Sequence, residues 1–124
     1  MKFDEWFANS KVVTSKGKPR LLYHGTWKRF DKFQVPIHGV YFTDNLKAAL
    51  SYGEVIKVYL SIQNPLILDF EGQSDLGENE NILEEVAFAN KEGFDGLIVY
   101  NTFDGENYLD QYVVFAENQI FIVQ

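Results

Sequence analysis

Three observations predict an α+β fold. Short runs rich in β-branched and aromatic residues recur along the chain, as in Gly39-Val40-Tyr41-Phe42-Thr43 and Gln111-Tyr112-Val113-Val114-Phe115. A few longer stretches carry helical spacing instead, the clearest over 82–91. Gly, Pro, Asn and Asp cluster between them as breakers. Many short strands with few helices and no internal repeat give an α+β arrangement. The 124 residues suffice for one domain with one core, taken as 1–124.

In chain order, Phe3, Trp6 and Phe7 have the i, i+3, i+4 spacing of a short helix over 3–8. Residues 11–14 read as extended, and 15–19, with Gly17 and Pro19, as a turn. Leu21-Leu22-Tyr23 reads as the end of a buried strand. His24-Gly25-Thr26 forms its polar mouth, where Gly25 lets the backbone turn or approach a ligand closely. Trp27, Phe30 and Phe33 lie on one helical face or line a loop that folds back on the core. Lys28, Arg29 and Lys32 form the most basic cluster, either a solvated face or an anion site suited to a diphosphate.

A strand over 39–43 is followed by a helix over 45–52, capped by Asp44 or Thr43, with Gly53 at its end. Strands follow at 55–62 and 66–68, separated by Asn64-Pro65. Residues 72–81 form a soft, exposed polar loop. The helix over 82–91 turns Leu83, Val86 and Ala87 inward. A strand at 97–100, a polar loop at 102–108, and strands at 111–115 and 119–123 complete the chain.

Composition narrows the chemistry. A formal net charge of −7 argues against nucleic acid or an anionic membrane surface as the main partner. With no Cys, disulfides, thiolate catalysis and Cys-based zinc sites are excluded, and two His leave little for a metal site. No apolar run reaches ~18 residues, and the acidic start does not resemble a signal peptide, so a cytoplasmic setting is expected. What remains is a set of polar and aromatic residues at strand ends. His24 and Thr26 supply an imidazole and a hydroxyl. Tyr41 and Tyr52, eleven positions apart across a strand–turn–helix, can bring two rings together as a slot for a flat ring. Gln111 opens a later strand.

Taken in order, Tyr23-His24-Gly25-Thr26, Gly39-Val40-Tyr41-Phe42 with Tyr52, and Gln111-Tyr112-Val113-Val114-Phe115 before Gln119-Ile120 resemble an ADP-ribosyltransferase. The likeness is to the His-Tyr-Glu class of diphtheria toxin and the poly(ADP-ribose) polymerases. It is closer still to the transferase domains of phage and mobile-element polyvalent proteins. Trp6-Phe7, residues 10–13, Gly17-Lys18-Pro19, Asn64-Pro65 and Gly93-Phe94-Asp95-Gly96 extend it over nearly the whole chain.

The resemblance implies two packed, split antiparallel sheets gripping NAD, the co-substrate, with no metal. It assigns His24 to the adenine-side ribose and the Gly25 backbone to the nicotinamide carboxamide. Tyr41 and Tyr52 would flank the nicotinamide ring, and Thr26 would sit beside the ribose or carboxamide. His24, Tyr41 and Gln111 would carry catalysis, and a macromolecule, expected to be a host protein, would accept ADP-ribose in the host bacterial cytoplasm. Loss of nicotinamide leaves an oxocarbenium-like ribose, which such a pocket favours by positioning.

Two positions depart from the pattern. Gln111 stands where the class carries its catalytic Glu, and Ala49 where the polymerases carry a hydroxyl. Asp110 and Glu106 are the nearby carboxylates in sequence, although strand alternation puts Asp110 on the opposite face from Gln111. Three readings follow: a mono-ADP-ribosyltransferase, an inactive NAD- or partner-binding module, and an NAD glycohydrolase. His24→Ala is expected to weaken NAD binding and spare the fold. Gln111→Glu is expected to speed nicotinamide release, or to slow it if the amide NH₂ donates to a neighbouring acceptor.

Overall fold

A computed structural model describes residues 2–78 and 80–124. Met1 and Asn79, the latter within the expected loop 72–81, lie outside them. The aromatic spacing at the start forms helix α1 (Phe3–Phe7). The apolar runs form β1 (Leu22–Thr26), β2 (Val40–Thr43), β3 (Glu54–Leu60), β4 (Pro65–Asp69), β5 (Gly96–Phe103), β6 (Tyr108–Val114) and β7 (Ile120–Ile122). Helix α2 (Leu46–Leu50) follows β2, and α3 (Ile82–Lys91) joins β4 to β5. The strand order is β4-β5-β6-β2-β1-β3-β7. Every neighbouring pair is antiparallel except β4 and β5, whose parallel pairing needs the crossover that α3 supplies. The fold is α+β, as the sequence predicts.

The split lies between β1 and β2. These strands share one register pair, Tyr23 opposite Thr43. Each is fully paired on its other side: β1 with β3 from Leu22 to Thr26, and β2 with β6 from Val40 to Thr43. Antiparallel register would next place His24 opposite Phe42 and Gly25 opposite Tyr41. Those rungs do not form, so the halves β4-β5-β6-β2 and β1-β3-β7 part beyond a single rung. They nonetheless share a core of Leu22, Ile56, Val58 and Leu60 from one half, with Phe42, Ile98, Tyr112 and Val114 from the other. On the opposite face, Leu97, Val99 and Val113 pack with Ile82 and Val86 of α3. The period of two along β6 thus sends Tyr112 and Val114 to the shared core, and Val113, with Gln111, to the α3 side.

Several elements differ from the sequence reading. β1 does not end at Tyr23 but runs through His24, Gly25 and Thr26, because β3 pairs with all of them. Residues 11–14 form no strand; Val13 makes an isolated bridge with Pro19, and Lys11 N–H donates to the Ile62 carbonyl at 2.8 Å. Residues 27–33 form no helix. Trp27 is 90% exposed while Phe33 is buried, so the segment folds back through Phe30 and Phe33 alone. The cap of α2 is Asn45, whose Oδ1 accepts from Ala48 N–H at 3.1 Å, because Thr43 is still in β2. Helix α3 spans the expected residues but buries Ile82, Val86 and Ala89, leaving Leu83 half exposed. Residues 102–108 are a hairpin rather than a loop, with Asp104 Oδ1 accepting from Glu106 and Asn107 N–H in the turn. The loop over 72–81 is tied down: Asp75 N–H donates to the Phe103 carbonyl at 3.0 Å, and Asp75 C=O accepts from Ile82 N–H at 2.7 Å.

Candidate active site

The parting of β1 and β2 creates the site. Across the unformed rungs, His24 Nδ1 lies 2.8 Å from the Tyr41 carbonyl oxygen. A carbonyl only accepts, so Nδ1 carries the proton and Nε2 is left as an acceptor. Phe30, Phe33 and Phe42 hold the imidazole at ring-centroid distances of 6.0, 5.1 and 5.4 Å. Burial pushes its pKa below the ordinary 6.5, only partly opposed by the Tyr41 bond. His24 is therefore neutral at pH 7.

On the α2 side is a cavity of about 410 Å³, within the range of small-molecule sites. Its walls are largely apolar, with Ala48, Ala49, Ile82, Leu83 and Leu109 among them. The cavity gathers His24, Gly25, Tyr41, Tyr52 and Gln111. Thr26 is outside it: its hydroxyl donates to the Lys28 carbonyl at 3.2 Å, closing the turn after β1. A second hollow of about 550 Å³, lined by Phe30, Lys32, Phe33 and Val40, shares His24 and Tyr41 with the first. The two hollows thus lie on either side of the His24–Tyr41 contact. Of the basic cluster, only Lys32 lines this hollow. Arg29 donates to the Val55 carbonyl at 3.1 Å, and Lys28 is exposed.

Gly25 is required by packing. A Cβ there would collide with the Ala49 carbonyl oxygen and come within 2.7 Å of Tyr52 Cδ2. Without it, α2 lies close against β1 and holds the Tyr52 ring, 61% exposed, at the rim. Tyr41 is set by full pairing of β2 with β6. Its hydroxyl is buried with no hydrogen-bond partner among the described residues. Burial and the nearby Asp75 raise its pKa, so it stays a neutral phenol able to donate.

Gln111 is 8% exposed. Its Nε2 donates to Asp75 Oδ2 and to Thr102 Oγ1, each at 3.0 Å. Thr102 donates its own proton to the Leu109 carbonyl at 2.9 Å. A carboxylate and a committed hydroxyl both demand donors, which fixes the amide orientation and leaves Oε1 as the acceptor of a side chain that lines the cavity. Sequence reasoning missed Asp75 and Thr102, having placed both in polar loops. The carboxylates it named instead are elsewhere. Asp110 lines a separate hollow with Asp44 and Asp69, its pKa raised mainly by burial, and Glu106 sits in the exposed hairpin turn.

The family model for ADP-ribosyltransferases in polyvalent proteins matches residues 14–123. The chain belongs to this ADP-ribosyltransferase family. A comparison with curated proteins finds no match. The family uses NAD as co-substrate. The polar groups of the cavity fit such a ligand: a Tyr41 hydroxyl without a partner among the described residues, an acceptor Nε2 on His24 and the amide of Gln111 line it together with largely apolar walls. Among the described residues, no group of three or more His, Asp or Glu is arranged to hold a metal ion. No helix among them is long and apolar enough to cross a membrane.

His24 also has a structural role, since its ring bonds the Tyr41 carbonyl across the parting strands. His24→Ala is expected to lower thermal stability at pH 8, because the Tyr41 carbonyl loses its donor, an effect of about 1–3 kcal/mol. A lowered histidine pKa contributes stability above the unfolded value of 6.5 that is lost as pH falls. The gap in melting temperature between wild type and His24→Ala should therefore narrow on acidification. A gap that widens would contradict the neutral, Nδ1-protonated histidine.

Proposed function

We propose that the chain is a mono-ADP-ribosyltransferase that moves ADP-ribose from NAD to a macromolecular acceptor, a host protein in the host bacterial cytoplasm, with release of nicotinamide. A phage or mobile-element source accords with this reading. The observation that carries it is the buried Tyr41 hydroxyl, without a partner among the described residues, on a side chain that lines one largely apolar cavity together with Gln111. A buried hydroxyl without a partner is costly, and a polar ligand relieves that cost.

In this reading Tyr41 and Tyr52 flank the nicotinamide, and the Gly25 backbone, at the unpaired edge of β1, holds its carboxamide. His24 Nε2 accepts from the adenine-side ribose. Lys32, in the second hollow, faces the diphosphate. Thr26 has no part, because its hydroxyl serves the turn. When bound, NAD supplies the glycosidic bond that is broken. Gln111 Oε1 accepts from the nicotinamide ribose and opposes the positive charge that develops there. Water exclusion by the apolar walls strengthens that interaction.

The neutral amide at 111 also favours a second reading, a module that binds NAD without turnover. Labelled NAD incubated with the protein and host lysate separates the possibilities. A labelled macromolecule supports transfer, free ADP-ribose alone indicates a glycohydrolase, and binding without nicotinamide release indicates the inactive module. Tyr41→Ala is expected to weaken NAD binding about tenfold by calorimetry, since it removes one face of the ring slot and a donor. Unchanged affinity and labelling in Tyr41→Ala would sink the assignment of this cavity.

A further inference from the structure

We infer that Asp75 supplies the negative charge of this site, acting through the Gln111 amide as a positioning residue for nicotinamide release. The inference rests on the transferase reading above. Cleavage of a C–N bond at ribose with departure of neutral nicotinamide leaves positive charge on the sugar. An isolated neutral amide opposes that charge weakly. Gln111 is not isolated, because its NH₂ donates to the Asp75 carboxylate at 3.0 Å. A carboxylate pulling on an amide N–H raises the electron density at the amide oxygen, and a low local dielectric strengthens the effect. The oxygen so polarised is the remaining acceptor of a side chain that lines the cavity. Asp75 and Gln111 thus behave as one acceptor, with the charge one hydrogen bond behind the contact atom.

The surroundings are built to keep this pair together. Thr102, fully buried, accepts the second amide proton and donates to Leu109, so the amide cannot flip without breaking two bonds. The Asp75 backbone is held at both ends, by Phe103 and by the first residue of α3. The other carboxylate lining the cavity, Asp104, is engaged in its own turn through Oδ1. Asp75 also lies near enough to Tyr41 to act on its phenol, so its field reaches the reacting end of the cavity.

The test is a charge transposition. Asp75→Asn keeps an oxygen that accepts from Gln111 and removes only the charge. Gln111→Glu sets two carboxylates across one hydrogen-bond distance. The double variant Asp75→Asn/Gln111→Glu restores one amide and one carboxylate with their places exchanged. Single-turnover nicotinamide release should fall about 10- to 100-fold in each single variant, with NAD affinity for Asp75→Asn changed less than about threefold. The double variant should return to within about fivefold of wild type, a coupling that independent sites do not show. The ligand-free melting temperature should follow the same pattern, lowered by Gln111→Glu and recovered in the double variant. Wild-type release from Asp75→Asn, or a double variant no faster than the slower single, overturns the inference alone. A wild type that releases no nicotinamide removes the transferase reading and the inference with it. If Gln111→Glu does not fold, Asp75→Asn and the double variant still decide.

Discussion

Gln111→Ala is expected to slow single-turnover nicotinamide release by about 10²–10³ while NAD affinity changes less than about threefold. In the proposed reading the amide oxygen accepts from the nicotinamide ribose, and its bond gains most of its strength as charge develops on the sugar. The substitution also strips a partner from Asp75 and from the buried Thr102 hydroxyl, so a stability loss of about 1–3 kcal/mol should accompany it. The rate must therefore be read on protein shown to be folded by its melting curve. Equal rates for wild type and Gln111→Ala at saturating NAD would make Gln111 a purely structural strand residue. The structure also decides between the two outcomes the sequence allows for Gln111→Glu. Because the NH₂ donates to Asp75, an introduced carboxylate loses that bond and meets a like charge, so the expected result is slower release.

Gly25→Ala is expected to destabilise the protein by about 1–3 kcal/mol and to abolish measurable NAD binding. The added methyl would crowd the Tyr52 ring and strike the Ala49 carbonyl oxygen, which as backbone cannot yield without moving α2 off β1. Moving α2 carries Tyr52, Ala48 and Ala49 away from the cavity they line. Gly77→Ala is a useful control, since among the described residues a Cβ there meets nothing closer than the Glu80 carbonyl at 3.4 Å. A Gly25→Ala protein with wild-type melting and NAD affinity would show that the close approach of α2 to β1 is dispensable.

The sequence by itself determined the fold class, the bounds of α3, and the identity of His24, Gly25, Tyr41, Tyr52 and Gln111 as residues of one region. The grouping of those five residues rests on an order and spacing that resemble the transferase family, and the fold class and α3 rest on local periodicity, which is readable in a single chain. Even there it could not tell which helical positions face inward: Leu83 was expected in the core and instead borders the cavity. Only the tertiary structure decided that β1 continues through Thr26 and removes that hydroxyl from the cavity, because strand length is set by β3 pairing from across the chain. Only it revealed that β1 and β2 keep a single rung, since register is a property of two strands together. Asp75 was illegible for the same reason. A lone carboxylate in a polar stretch carries no periodic signal. Its meaning comes from backbone bonds to Phe103 and Ile82 that carry it, across 36 positions of sequence, to the amide of Gln111.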